Sequence, residues 1–367
     1  MNMKKYLWAV VALLLGSVTL VSCEEVDGPG TANPDNVIKA SRYAFIMYEG
    51  AWGGNNAGVS YLPLVGAGDM VSDIYLAKNN AKMGDLANDM IEYNDQVYVV
   101  LNGSKYVARL DERAVEKARY TVSANEGTPR YMDAEDGYLY VTHHGGTVSK
   151  LNATTLVREA TYNGGDNLEG ILEEDGKLYV ANSFKVDGSG NYVYNKEVLV
   201  IDAKTMKQVG SIAVVENPNL IYEIDDKIYV ISSGNYADVQ PTLQVIDTKN
   251  MTAKSITSVD KITEGNNGLI YGVRSSYDAS WNLQNEFFTY NPKTGVVNDQ
   301  SFLVDAPSSI ATAAIYMLVV DDETGDIYVG TSDYVTTGTI YRFDRSGKLI
   351  SSFDAGGINP KKMIFID

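Results

Sequence analysis

Aromatic residues recur in stretches that are otherwise Gly, Asn, Ser, Asp and Gln, with few charges. They are Trp52, Phe184, Tyr192, Tyr194, Tyr236, Tyr277, Trp281 and Tyr334. A segment such as "AWGGNNA" (residues 51–57) has no local core in which to bury an indole. Rings beside amides and hydroxyls suit a ligand with a broad apolar plane and a polar, uncharged rim. Asn55, Asn56, Asn102 and Asn182 supply amides, and His143 and His144 are the only histidines in the chain. Any one of these rings alone can be read as packing its own loop. All of them together read better as a shared binding surface.

Reaction chemistry is harder to find. The chain has no phosphate-binding glycine loop, no GxSxG elbow and no HExxH helix. Adjacent histidines on a strand point to opposite faces and make a poor metal pair. The single cysteine, Cys23, belongs to the leader, which removes thiol catalysis. Calcium held by loop carboxylates such as Asp187, Asp238, Asp278 or Asp333 is an alternative, because propellers with lactonase activity use such an ion. The balance favours binding without catalysis and without a resident metal or cofactor.

The scaffold that positions these loops is a repeat. "QVYVV" (from Gln96), "YLYVT" (Tyr138), "KLYVA" (Lys177), "KIYVI" (Lys227), "LIYGV" (Leu269) and "DIYVG" (Asp326) recur at intervals of roughly 40 to 57 residues. Turn dipeptides stand ahead of them: Asn94-Asp95, Asp136-Gly137, Asp175-Gly176, Asp225-Asp226, Asn267-Gly268 and Thr324-Gly325. Such dipeptides tolerate positive φ and predict tight hairpins. A second hairpin follows each, with Asp111, Asn152, Asp202, Asp247, Asn291 or Asp344 placed to cap its turn. Four antiparallel strands per repeat predict an all-β fold, a seven-bladed β-propeller. "INPKKMIFID" at the C-terminus has the character of an innermost strand, and "YAFIMYEG" (residues 43–50) that of a second strand. Their union would close one blade from both termini and remove a free edge. Function then belongs to the face with the variable second-to-third loops.

The first 22 residues read as an export signal, with Lys4 and Lys5 ahead of the apolar "LWAVVALLL", which is too short to span a bilayer. "LVSC" ends at Cys23, where a bacterial lipoprotein is cut and lipidated. Residues 23–36 form the lipidated cysteine and an acidic, Pro- and Gly-rich tether, and residues 37–367 the propeller. Processing removes two lysines and no acid, taking the net charge of −17 to −19. So acidic a chain is no nucleic-acid binder.

The leader, the tether, the opening "YAFIMYEGAWGGNNAGVSYL" and the YncE-like blades together resemble the BtuG family over essentially the whole chain. "EGAWGGNNAG" is the most specific part of the likeness. The resemblance implies a surface-exposed outer-membrane lipoprotein that captures cobalamin (vitamin B12) and related corrinoids. It further implies handover to a TonB-dependent barrel of the BtuB type, with no reaction of its own. The expected ligand contacts come from loop position: Trp52, Asn55, Asn56, Asn102, His143, His144, Asn182, Phe184, Tyr236, Tyr277, Trp281 and Tyr334. Two alternatives remain on the sequence: a glycan-binding lipoprotein of a polysaccharide uptake system, and a calcium-dependent lactonase-like hydrolase.

Overall fold

The computed structural model describes Ile38 and residues 40–367; the signal, Cys23 and the tether lie outside the described residues. Chain order begins with β1 (Ala40–Tyr48), β2 (Gly58–Gly66) and a short helix α1 (Ile74–Asn79). A four-stranded antiparallel sheet follows: β3 (Ala87–Tyr93), β4 (Gln96–Leu101), β5 (Tyr106–Asp111) and β6 (Glu116–Thr121). Two further quartets come next. The first is β7 (Thr128–Glu135), β8 (Tyr138–His144), β9 (Thr147–Asn152) and β10 (Arg158–Asn163). The second is β11 (Asn167–Glu174), β12 (Lys177–Val186), β13 (Tyr192–Asp202) and β14 (Lys207–Ala213). They are linked into one eight-stranded sheet by the single pairing Asn167↔His144.

The next sheets are again four-stranded and in sequence order. They contain β15 (Pro218–Ile224), β16 (Lys227–Ser232), β17 (Thr242–Asp247) and β18 (Thr252–Ser258), then β19 (Lys261–Glu264), β20 (Ile270–Tyr277), β21 (Leu283–Asn291) and β22 (Val296–Asn298). After helix α2 (Ser308–Thr312) come β23 (Ala314–Val320), β24 (Ile327–Ser332), β25 (Thr339–Phe343) and β26 (Leu349–Asp354). The last strand, β27 (Pro360–Ile366), does not start a new sheet. It pairs antiparallel with β1 from Tyr43↔Ile366 to Tyr48↔Pro360, so the order is β2-β1-β27. The fold is an all-β propeller, and the expected joining of the two chain ends in one sheet is present.

Local chemistry explains the hairpins. At Asn94-Asp95, Asp136-Gly137, Asp175-Gly176 and Asp225-Asp226 both residues have positive φ, the type I′ geometry that matches strand twist. Tyr93↔Gln96, Glu135↔Tyr138, Glu174↔Lys177 and Ile224↔Lys227 close these two-residue loops. The sequence expectation fails at Asn267-Gly268 and Thr324-Gly325. There the loops close on Glu264↔Ile270 and Val320↔Ile327 and are longer, with only the glycine at positive φ. The proposed corner caps are all made. Asp111 Oδ1, for example, accepts from the N–H groups of Arg113 and Val115, and Asp344 Oδ1 from those of Ser346 and Lys348.

The tyrosine of each "ΦYV" strand is core. Tyr98, Tyr179, Tyr229 and Tyr328 are fully buried between neighbouring sheets, and Tyr98 Oη donates to the carbonyl of Ala153 in the next sheet. Rings of this size provide the apolar area that holds sheet on sheet. The first strands β3, β7, β11, β15, β19, β23 and β27 all contribute to the lining of one cavity of about 400 Å³.

Arg42 on β1 reinforces the closure. Its guanidinium donates two hydrogen bonds of 2.8 Å to the carboxylate of Asp321, and both side chains are buried. Nε also reaches Asp367 Oδ1 at 2.5 Å, tying the end of β27 to the start of β1. The burial of Asp321 pushes its carboxyl up, but the bonds from Arg42 and Thr324 outweigh that and leave it below the ordinary range. Removing Asp321 takes from Arg42 its one buried carboxylate and leaves it only the largely exposed Asp322, Glu323 and Asp367. Asp321→Ala is therefore expected to destabilise the fold by about 3–5 kcal/mol in denaturant unfolding; a loss under about 1 kcal/mol would show a pair of surface-like strength.

Candidate functional site

The second-to-third loops carry the exposed rings. Trp52 and Trp281 are each 83% exposed and Tyr236 76%, with Tyr192, Tyr277 and Tyr334 also outside. Trp52 does not sit on a slack segment. Gly54 N–H donates to the carbonyl of Ala51, Asn56 Oδ1 accepts from Ala51 N–H, and Gly53 N–H donates to Asp85 Oδ2 at 2.9 Å. Gly53 adopts φ +69, and a Cβ on Gly54 would meet Asn56 Oδ1 at 2.5 Å. The "GGNN" run thus builds a braced turn that holds the indole out.

Similar bracing recurs around the face. Asp278 Oδ1 accepts from Ser280 and Asn282 N–H, Asp333 Oδ1 from Val335 and Thr336 N–H, and Asn235 Oδ1 from Ala237 and Val239 N–H. Each turn puts an aromatic residue at left-handed φ: Trp281 at 63°, Tyr334 at 65° and Tyr236 at 58°. Asp187 caps its loop in the same way through Ser189 and Asn191. These loop acids were the calcium alternative, and the structure gives them another occupation. Backbone N–H donors, Asn191 and Asn282 first, hold Asp187 and Asp278 below the ordinary range, and the Thr336 hydroxyl leads in bringing Asp333 down to about 2. Asp238 accepts from Asn235 Nδ2. Among the described residues no three His, Cys, Asp or Glu side chains stand together as a metal-ligand group.

The rings occur in contacts rather than singly. Phe184 packs between His144 (5.6 Å) and Tyr192 (5.2 Å), Tyr194 meets Tyr236 edge-on at 5.9 Å, Tyr277 lies 6.2 Å from Trp281, and Tyr316 lies 5.9 Å from Tyr334. An open cavity of about 400 Å³ lies between the Trp52 loop and the Val335 loop, lined in part by Asn55, Asn56, Asp73 and Lys82.

Several expected contact residues are not on this face. Asn102, just past β4, and Asn182, inside β12, are buried. Asn102 Nδ2 donates to the carbonyl of Pro129; Asn182 Nδ2 donates to Glu197 while its Oδ1 accepts from Asp166 N–H. His143 is wholly buried. Ser149 Oγ donates to Glu126, so it accepts from His143 Nε2–H and leaves Nδ1 without a partner. Burial pushes this imidazole down to about 4. Asn56 is committed to its own loop. His144, on the opposite strand face, is half-buried and bonds Glu169 Oε1 at 2.7 Å.

Sequence reasoning missed a polar lining inside the ring. Asn88, Arg130, Glu169, Lys261, Tyr316 and Lys361 fall within the first three residues of β3, β7, β11, β19, β23 and β27. Arg130 Nε donates to Glu169 Oε2 at 2.9 Å, and Lys361 Nζ donates to Glu49 Oε1 and Asn88 Oδ1, each at 3.0 Å. Tyr316 Oη donates to Glu49 Oε2. Burial pushes Glu169 up, but Arg130 and His144 outweigh it and hold the carboxyl below the usual range. A recurrent polar residue opening an otherwise apolar strand was the signal that could have found this lining.

No family model and no curated protein matches this chain. Solved structures resemble it at low identity. Hydrazine synthase from Kuenenia stuttgartiensis is 15% identical with a TM-score of 0.55, over 68% of this chain and 74% of that one. The WD40 domain of Neurospora crassa Pan2 is 10% identical with a TM-score of 0.51, over 72% and 78%. A streptogramin B lyase is 12% identical with a TM-score of 0.52, over 73% and 82%. These likenesses concern the fold alone, and WD40 domains are propellers.

The buried His143 makes stability depend on pH. Its folded-state value near 4 lies below the unfolded 6.5, so the unfolded chain binds the extra proton first as pH falls. Its contribution, about 3 kcal/mol at full extent, is present above pH 6.5 and lost between pH 6.5 and 4. Glu126, held down to about 2 although burial alone would raise it, adds a separate loss below its unfolded 4.5. Asp133, raised to about 6 by burial foremost, titrates in the same window with the opposite sign in any variant, so the test is the difference. From pH 7 to 4 the wild type is expected to lose stability relative to His143→Gln in denaturant unfolding. Equal slopes would place the titration elsewhere.

Proposed function

We propose that this protein is a cell-surface lipoprotein that binds cobalamin and related corrinoids on its variable loop face and passes them to a BtuB-type TonB-dependent barrel, without catalysing a reaction. The observation that carries the reading is the set of rings held in water on left-handed backbone. That conformation costs a residue with a Cβ about 1–2 kcal/mol. Trp281, Tyr236 and Tyr334 adopt it and remain exposed, each on a turn braced by side-chain hydrogen bonds. Burial of the ring does not offset the cost in the free protein, whereas contact with a ligand or partner would.

The ligand class follows from the same surface. A corrin is a flat macrocycle fringed with amides, and rings beside loop amides and backbone groups complement both parts. Trp52, Asn55, Phe184, Tyr236, Tyr277, Trp281 and Tyr334 form the contact set, with His144 at its inner margin. Pre-braced turns reduce the ordering cost of binding. The resemblance of "EGAWGGNNAG" to the BtuG family and the lipoprotein leader support the same ligand and an outer-membrane, surface-exposed location.

The scaffold belongs to this reading as a seven-bladed ring. Seven first strands lining one cavity support that count, as does the lone Asn167↔His144 link, which leaves the eight-stranded sheet divisible into two quartets. The sheet β2-β1-β27 is then the seventh blade, with Val71, bridged to Tyr61, as the trace of its fourth strand.

Titration of the mature chain with cyanocobalamin is expected to saturate at sub-micromolar concentration. Trp281→Ala and Tyr236→Ala should each cost about 2 kcal/mol, roughly thirtyfold in affinity, with unchanged thermal melting. Absence of binding at micromolar protein, or retention on a glycan panel with indifference to corrinoids, would overturn the assignment.

A further inference from the structure

The central channel holds donors that the loop-face reading leaves unused. Arg130 is neutralised by Glu169, and Lys361 by Glu49. Lys261 has no such partner. Its ammonium stands 5.8 Å from the centroid of the Tyr316 ring and makes no ion pair or hydrogen bond among the described residues. The side chain is half-buried in this lining. Burial foremost, then the nearby Lys361, disfavours its charge, while the carboxylates of Asp260 and Glu49 act the other way without pairing with it. Tyr131 and Tyr222 line the same cavity of about 400 Å³, and neither hydroxyl has an acceptor among the described residues. The Tyr316 hydroxyl, by contrast, is committed to Glu49.

We propose that the central channel binds an oxyanion, a carboxylate or a phosphate, with Lys261 as its counter-charge and the Tyr131 and Tyr222 hydroxyls as further donors. Water in the channel would satisfy two phenols, but it would leave the half-buried Lys261 ammonium without a counter-charge. An oxyanion does both, because it carries the missing charge and accepts several hydrogen bonds at once. The absence of a dedicated carboxylate is specific to Lys261, since the two cations beside it each have one. The shape suits a small group, as 400 Å³ is shared among side chains from the whole ring of first strands. This site lies inside the ring rather than at the loop tips, and it stands or falls independently of corrinoid binding.

Calorimetric titration of the mature chain at pH 7 and low salt, with inorganic phosphate and separately with acetate, tests the site. At least one is expected to bind saturably with one-to-one stoichiometry, and which one does identifies the group as phosphate or carboxylate. Lys261→Met, which keeps the stem and removes the charge, should weaken that affinity about tenfold or more, and Tyr222→Phe several-fold, as expected for lost charge-assisted and neutral hydrogen bonds. The anion should also raise the melting temperature of the wild type but not of Lys261→Met, whose own melting should be unchanged or higher. The proposal is overturned if neither anion saturates by about 10 mM, a limit weaker than any specific site would show. It is equally overturned if a folded Lys261→Met binds as tightly as the wild type.

Discussion

The pairing of β27 with β1 brings the end of the chain against its beginning, and Arg42 reaches an acceptor 325 residues away through it. That closure is the constraint on which the remaining geometry rests. The first strands can line a common cavity only if the last of them is held in place, and Lys361 and Lys362 on β27 then reach Asn88 and Asp89 on β3. Pairing on both sides also leaves β1 no edge open to another chain. The buried Arg42–Asp321 pair fixes the register, because a one-residue slip of β1 would turn Arg42 to the other face of the sheet.

Closure also divides one residue type between two uses. Tyrosines inside the second strands are locked between sheets with almost no exposure, where their rings bury area and, at Tyr98, the hydroxyl bridges to the next sheet. Tyrosines in the second-to-third loops stand at turns whose backbone is set by Asp, Asn and Ser side chains, and stay exposed. The difference lies in whether strand alternation or a side-chain-capped turn sets the direction of the ring. A rigid wheel lets such turns be irregular without disturbing the core.

That division explains what could be read in the sequence. Turn chemistry is local, so the capping acids, four of the six tight hairpins and the second strands were legible from short patterns. Thr324-Gly325 misled because Asp321 accepts from Glu323 and Thr324 N–H and so builds a longer loop. Trp52, Tyr236, Tyr277, Trp281 and Tyr334 were legible as exposed because they stand in runs made mostly of Gly, Asn, Ser, Thr and Asp. Asn102, Asn182 and His143 were not, since they sit within or just past second strands, where alternation turns them inward to partners 15 to 27 positions away or more locally at Ser149. The channel lining was invisible for a different reason. Its members come from separate repeats and meet only after the ring closes.

The two mouths of the channel differ in charge, and this follows from where the polar residues fall along the first strands. Arg130, Lys261 and Lys361 lie near the strand beginnings, while Glu135, Glu174, Glu223 and Glu264 lie at or beside the ends. Burial, then mutual repulsion, raises Glu174 and Glu223, and Asp133 is pushed up to about 6 by burial foremost. The acids on that side therefore crowd one another, whereas the cations on the loop side are spread and mostly paired. An anionic group is repelled on the side of the strand ends, whereas the paired cations and the unpaired Lys261 leave the side of the strand beginnings free of that repulsion, within a chain whose net charge is −17. The loop rings and this lining meet at one point, where Tyr334 packs on Tyr316.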